Sequence, residues 1–346
     1  MSSAADAPEA QKAPPPWVGG QLQALLAQRG HAWLLQGPSG LGQYELALGM
    51  VRAWLCDAPT PSGACGHCGS CHAIDVRTHA DLCVLMPETA MLDMNWPLPE
   101  KAQQDIDDKK RKASREIRVD AMRDAVEFAQ RTSARGRGKA VLVYPAERMN
   151  TITANTLLKT LEEPPGDVKF VLASEASHQL LPTIRSRCLG HTMSWPSQDA
   201  ALVWLKEQGV APADAPVLLN AAGGRPADAL AYWQSGRHAK AWSLLPKAVA
   251  RGDVTALSDW TPPQAIDALH KLCHDLLAVH AGAAPRFYAA QDLPSAGSPQ
   301  ALSRWAKALA QAARVAEHPF NAGLMLESLV SEARIALNSR TIPSKT

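Results

Sequence analysis

The chain predicts an α/β protein: a doubly wound parallel sheet carrying a cysteine-rich insertion, followed by a region of helices alone. Three observations carry that expectation. Apolar runs with strand character alternate with amphipathic helical patterns over the first 195 residues, and strands separated by helices pair in parallel, with helices over both faces. The first of these runs opens through a glycine-rich turn into a helix. After Trp195 and Pro196 the strand pattern stops and helical periodicity continues, punctuated by Gly223-Gly224, Pro246 and Pro262-Pro263.

A length of 346 residues exceeds one ordinary core and suggests two or three folded units. Hydrophobic residues make up 46% and charged residues 20%, a usage that excludes a wholly disordered or fibrous chain. With 35 Lys plus Arg against 33 Asp plus Glu, the net charge of +2 supplies no global field for nucleic acid or membrane, so any such contact has to be local. The first sixteen residues, MSSAADAPEAQKAPPP, lack the basic start and apolar run of a secretory signal. No stretch reaches the roughly 18 apolar residues that span a bilayer. Residues 1–16 are therefore expected to form a disordered tail on a cytoplasmic protein.

Strands are expected at 32–36, 81–86, 140–144, 169–173 and 190–195. Helical faces lie between them, one carrying Val119, Met122, Val126 and Ala129, another Ala154, Leu157, Leu158 and Leu161. The second belongs to the run ITANTLLKTLEEPP, whose paired prolines close the helix. Residues 91–117 turn polar and mix both signs of charge without a steady apolar stripe, which predicts a solvated insertion. The alternative there is a DNA-contacting arm on Lys109, Lys110, Arg111 and Lys112, opposed by Asp105, Asp107 and Asp108. Likewise Arg135, Arg137 and Lys139 read as a solvated loop or as a contact to a phosphate backbone. The region 196–238 is expected to be a small helical domain and 239–346 a larger one, with Ile266, Leu269, Leu272 and Leu276 as one apolar stripe.

Seven cysteines are an odd number, and four of them fall between 56 and 71. Cys65, Cys68 and Cys71 form two overlapping C-x2-C steps that bring three thiolates to one ion, and Cys56 at the end of the preceding helix can supply a fourth. A closed tetrahedral thiolate site predicts structural zinc, with no open position for water. His67 and His72 stand as alternative fourth ligands, and a metal-free set of thiols or a redox dithiol as alternative readings. Cys83, Cys188 and Cys273 are expected in the core.

The glycine-rich turn, with Gly37, Gly40 and Gly42, occupies the place of a phosphate-binding loop. A working loop continues with Lys, which reaches the β and γ phosphates, and Ser or Thr, which holds magnesium. Here those positions are Gln43 and Tyr44. The strand at 140–144 should be followed by acids for magnesium and water, yet the chain continues Tyr144-Pro145-Ala146-Glu147. Two separated losses that serve one ion predict a scaffold that does not hydrolyse ATP.

These runs, the cysteine spacing and the altered loop resemble the delta prime family of bacterial DNA polymerase III clamp-loader subunits, within the AAA+ superfamily. The resemblance covers most of 17–240 by motif and the helical remainder by layout. It implies an AAA+ RecA-like sheet over 17–195, a lid at 196–238 and an oligomerising collar at 239–346. It also implies that Arg187, in Ser186-Arg187-Cys188, is an arginine finger acting in trans on a neighbour's nucleotide. Read on its own, the same residue is a surface arginine paired with a local acid. The family's sensor 2 arginine falls on Ala227, with Arg225 left in the loop before Pro226. Implied partners are the gamma or tau motor subunits and the delta subunit in a hetero-oligomer, with the sliding clamp and primed DNA reached through the assembly. An active gamma-like ATPase and a zinc-containing DNA-binding adaptor remain the alternatives.

Overall fold

Five short segments pair side by side, all in parallel, in the order β2-β3-β4-β1-β5. They are β1 Ala32–Gln36, β2 Leu82–Leu85, β3 Lys139–Val143, β4 Val168–Ser174 and β5 Leu189–Thr192. This computed structural model describes residues 14–295, 298–316 and 321–339. The expected tail lies outside the described residues except for Pro14, Pro15 and Pro16, and Pro16 already opens helix α1, Pro16–Leu26.

Period-two alternation sorts the strands onto two cores. Trp33, Leu35, Leu142, Val171 and Ala173 face one side, against α1 and α2 (Gln43–Leu55). Ala32, Leu34, Val141, Phe170 and Leu172 face the other, against α6 (Val119–Gln130) and α7 (Thr151–Glu162). Burial on both faces is why these strands read as continuous apolar runs. On α6 the core face is Met122, Ala125 and Ala129, so Ala125 takes the place expected of Val126. The last strand is shorter than expected: it stops at Thr192, and Trp195 lies 48% exposed beyond it. Three short helices, α3 (Gly69–Asp75), α4 (Glu88–Asp93) and α5 (Glu100–Asp107), fill the connections around β2, and α8 (Pro182–Arg185) precedes β5.

The chain divides into two units at Pro196/Ser197. The second holds α9 Gln198–Glu207, α10 Ala215–Ala221, α11 Pro226–Gln234, α12 Ala239–Arg251, α13 Pro262–His280, α14 Pro299–Val315 and α15 Ala322–Leu337. The stripe Ile266, Leu269, Leu272 and Leu276 is buried, and Lys271, Cys273 and Asp275 of the same helix are buried beside it. Lys271 reaches from α13 to the Tyr232 hydroxyl on α11 at 2.8 Å and to Asp267 at 2.6 Å. The expected boundary at 238/239 is thus bridged by a buried cation. Among the described residues no helix is long and apolar enough to cross a membrane.

Candidate functional site: an altered phosphate loop, a four-cysteine cluster and Arg187

The turn between β1 and α2 has the geometry its glycines dictate. Gly40 and Gly42 adopt φ of +77° and +92°, and a Cβ on Gly42 would lie 2.9 Å from Val18 Cγ2, so conformation and space both demand glycine. The side chains that follow turn inward. Gln43, at the lysine position, is 2% exposed, and its amide donates to the carbonyls of Gly37 at 2.9 Å and Pro38 at 2.6 Å. Where lysine would reach for phosphate, this amide braces the loop's own backbone.

Tyr44, at the hydroxyl position, packs against Tyr144, which stands where the acid after β3 would be; the ring centres lie 5.3 Å apart. The Trp96 indole N–H donates to the Tyr44 hydroxyl at 2.7 Å, and the Tyr144 hydroxyl donates to Glu175 at 2.7 Å. Burial pushes both phenols up, with the Glu175 carboxylate adding to the effect at Tyr144. Neither is an anion near neutral pH. Glu147, the acid nearest the end of β3, accepts from the Ser174 hydroxyl at 2.8 Å and the Glu175 N–H at 3.2 Å. Its carboxylate ties β4 to the turn after β3. An aromatic pair and a pinned carboxylate therefore stand where a magnesium site would need a small hydroxyl and free acids.

Cys56, at the end of α2, is joined by Cys65, Cys68 and Cys71. The sulfurs of Cys65, Cys68 and Cys71 lie 3.5, 3.7 and 3.8 Å from that of Cys56, and all four lie within 4.8 Å of one another. A tetrahedron with metal–sulfur bonds of about 2.3 Å has edges of about 3.8 Å, so the donor set fits a thiophilic ion such as zinc. Cys68 caps α3 and accepts the Cys71 N–H at 3.4 Å. Burial opposes ionisation of Cys68, but the N–H groups of Cys71 and Asp57 outweigh it and bring the thiol down to about 6. Burial pushes Cys56 up and Cys71 up to about 12. Four adjacent thiols in this state gain most from a cation that ionises them together. The histidines do not join: the His67 ring contacts the Cys65 carbonyl at 2.9 Å, and His72 lies on the exposed side of α3. Cys83 and Cys188 are half-buried beside the sheet core and Cys273 is buried, as expected.

Arg187 follows α8. One guanidinium nitrogen donates to the Thr183 carbonyl at 3.0 Å and the other to Glu162 Oε1, at the end of α7, also at 3.0 Å; Nε is buried with no partner among the described residues. The local-acid reading is thus realised in this chain. With Glu162 58% exposed, such a pair is worth about 0–1 kcal/mol. In the second unit Arg225 precedes α11 and pairs with Asp228 at 2.6 Å, while Ala227 sits in the helix.

Of the basic segments, Arg111 and Lys139 are committed internally, whereas Lys109, Lys112 and Arg137 are exposed. Arg111 pairs with buried Glu88 at 2.5 and 2.8 Å, Ser114 N–H adds a bond at 2.8 Å, and Lys110 pairs with Asp108 at 2.9 Å. Trp96 is 6% exposed within the core of the loop face. Residues 91–117 are consequently anchored at Trp96, Arg111 and Ile117, while most of their side chains face solvent as their composition predicts. Lys139 is buried over the Phe128 ring at 3.8 Å, and Arg135 lies 3.4 Å from Asp57. Sequence reasoning misses Trp96, Glu88, Glu175 and Asp57. The one available signal is a lone tryptophan inside a polar stretch.

With this geometry in view, the similarities are informative. A family profile described as "DNA polymerase III, delta subunit" matches residues 21–195. The DNA polymerase III subunit delta' of Pseudomonas aeruginosa is 41% identical over 179 residues, 52% of this chain and 48% of that protein. The subunit delta' of Escherichia coli (strain K12) is 32% identical over 283 residues, 78% of each chain. Subunit tau of the same organism is 31% identical over 159 residues, 46% of this chain and 21% of that protein. The chain thus spans about half the length of the Pseudomonas relative and more than three quarters of the Escherichia one. Matched by profile over its sheet unit and by a relative over most of its length, the chain belongs to the delta prime family of DNA polymerase III subunits.

Proposed function

We propose that this chain is a clamp-loader subunit that does not hydrolyse ATP and that lends Arg187 to a nucleotide held by an adjacent gamma or tau motor subunit. With the delta subunit it forms part of a cytoplasmic hetero-oligomer that loads the sliding clamp onto primed DNA. The observation that carries this reading is the altered loop: Gln43 is spent on the loop carbonyls, and Tyr44 and Tyr144 fill the magnesium position. A phosphoryl-transfer site without its lysine and metal ligands loses the charges that stabilise its transition state. The same observation disfavours a gamma-like ATPase, and the internal engagement of Arg111 and Lys139 disfavours a free-standing DNA adaptor.

Arg187 suits a role in trans because its present partners are weak ones. An exposed carboxylate and a backbone carbonyl can be exchanged for a phosphate at little cost. Cys56, Cys65, Cys68 and Cys71 would hold a structural zinc, which supplies a cross-link between the end of α2 and the start of α3 and no open coordination position. In a loader reconstituted with motor and delta subunits, Arg187→Ala should leave complex size unchanged and slow ATP turnover. At the shared site the loss can reach on the order of 10³-fold. Turnover equal to the wild-type loader would refute the proposal.

A further inference from the structure

We infer that Asp57 is a positioning residue for the metal held by Cys56, Cys65, Cys68 and Cys71, and that Arg135 ties this arrangement to the sheet. The inference rests on the reading that the four cysteines bind metal. Asp57 follows Cys56 directly, yet its carboxylate engages the far side of the loop. Oδ1 accepts from the Ser70 hydroxyl at 2.7 Å and Oδ2 from the Ser70 N–H at 3.2 Å. Ser70 lies between Cys68 and Cys71 and is fully buried. One side chain therefore grips the Cys68–Cys71 segment at two atoms while its residue is continuous with the first ligand.

Charge gives the arrangement its second half. Four thiolates around a divalent ion carry a net charge of −2, and a carboxylate beside them is repelled unless a cation intervenes. Arg135 is that cation. Its Nη2 lies 3.4 Å from Asp57 Oδ2, and a Cβ on Gly69 would come 3.1 Å from the same nitrogen, so the guanidinium lies over a residue whose missing side chain makes room for it. The Arg135 N–H in turn donates at 2.8 Å to Asp81, which is fully buried and also accepts from Ala134 N–H at 2.7 Å and the Ser133 hydroxyl at 3.0 Å. Asp57, Arg135 and Asp81 thus form a continuous polar connection from the thiolates to the start of β2.

A residue that merely caps α3 would change helix stability without altering the metal's ligand field, so the test reads both. Zinc affinity of the full chain is measured by competition with a chromogenic chelator, and the cobalt(II)-substituted chain is examined for its thiolate charge-transfer and d–d bands. Asp57→Asn should weaken zinc by about 10- to 100-fold and shift the cobalt bands. Asp57→Glu should recover part of the affinity, and Arg135→Gln should show a smaller loss than Asp57→Asn. Should Asp57→Asn fold poorly, Ser70→Ala removes the shortest of these bonds without changing charge and should still weaken zinc measurably. Zinc binding within twofold of wild type in Asp57→Asn, or in a folded Ser70→Ala, with unaltered cobalt bands, overturns the positioning role. Retention of one tightly bound zinc by Cys68→Ala would instead overturn the metal reading on which it rests.

Discussion

Gln43 and Tyr44 turn the loop's two chemical positions into structural ones. Replacing lysine by glutamine removes a cation, and the amide then satisfies two carbonyls of the loop, so the turn is stable without a phosphate to organise it. Replacing the small hydroxyl by tyrosine adds a ring that completes a buried cluster with Tyr144 and Trp96. Restoring the ancestral-looking pair is therefore expected to fail in two ways. Gln43→Lys with Tyr44→Thr would open a cavity beside Tyr144 and leave the Trp96 N–H unpaired, costing about 2–5 kcal/mol in stability. It would still lack an acid after β3, because Tyr144 remains and Glu147 is held by Ser174 and Glu175. Phosphate release by the purified double variant should stay at background while its melting temperature falls. Robust turnover would mean that the acids come from elsewhere.

At the scale of elements, the segment 88–117 is held by one buried carboxylate. Burial alone would push Glu88 up, but Arg111, the Ser114 N–H and Arg118 outweigh it and hold the carboxyl below its ordinary value. Because the folded value lies below the unfolded one, the pairing contributes fully above about pH 4.3 and is lost as pH falls through the folded value. Glu88→Gln should mimic that loss at neutral pH. Amide exchange across 88–117 should speed by about tenfold, equivalent to about 1.4 kcal/mol of local stability, and its acid dependence should flatten. Unchanged protection would show that Trp96 alone anchors the segment. The same segment marks where sequence reading ends. Strand β1, the face of α7 and the four cysteines are legible because their signals are local, in a period or a fixed spacing. Glu88 and Arg111 are 23 residues apart, Tyr44 and Trp96 are 52 apart, and no periodicity links them. Composition averaged over the polar stretch hides the single buried tryptophan that anchors it. The early end of β5 has a related cause: Thr192 is its last residue paired with β1, although the apolar pattern continues to Trp195.

For the whole molecule, each unit has its own means of support. The first combines a two-faced sheet core with the cysteine cluster; the second packs helices around α13, where Lys271, Tyr232 and Asp267 join α13 to α11. Asp57, Arg135 and Asp81 tie the cluster to the rest of the sheet unit. Metal bound at the four cysteines would therefore stabilise the unit that carries them by linkage. With free zinc at about 100 times its dissociation constant, the contribution is about 2.7 kcal/mol, which corresponds to roughly 5–10 °C for a unit of this size. Differential scanning calorimetry of the full chain should resolve two transitions. Adding a strong chelator should lower the one that carries Cys56, Cys65, Cys68 and Cys71 by that amount, and the Cys68→Ala chain should melt at the lowered temperature with no response to chelator. A single transition that moves as a whole would show that the two units fold as one cooperative block and that the metal's influence reaches the helices.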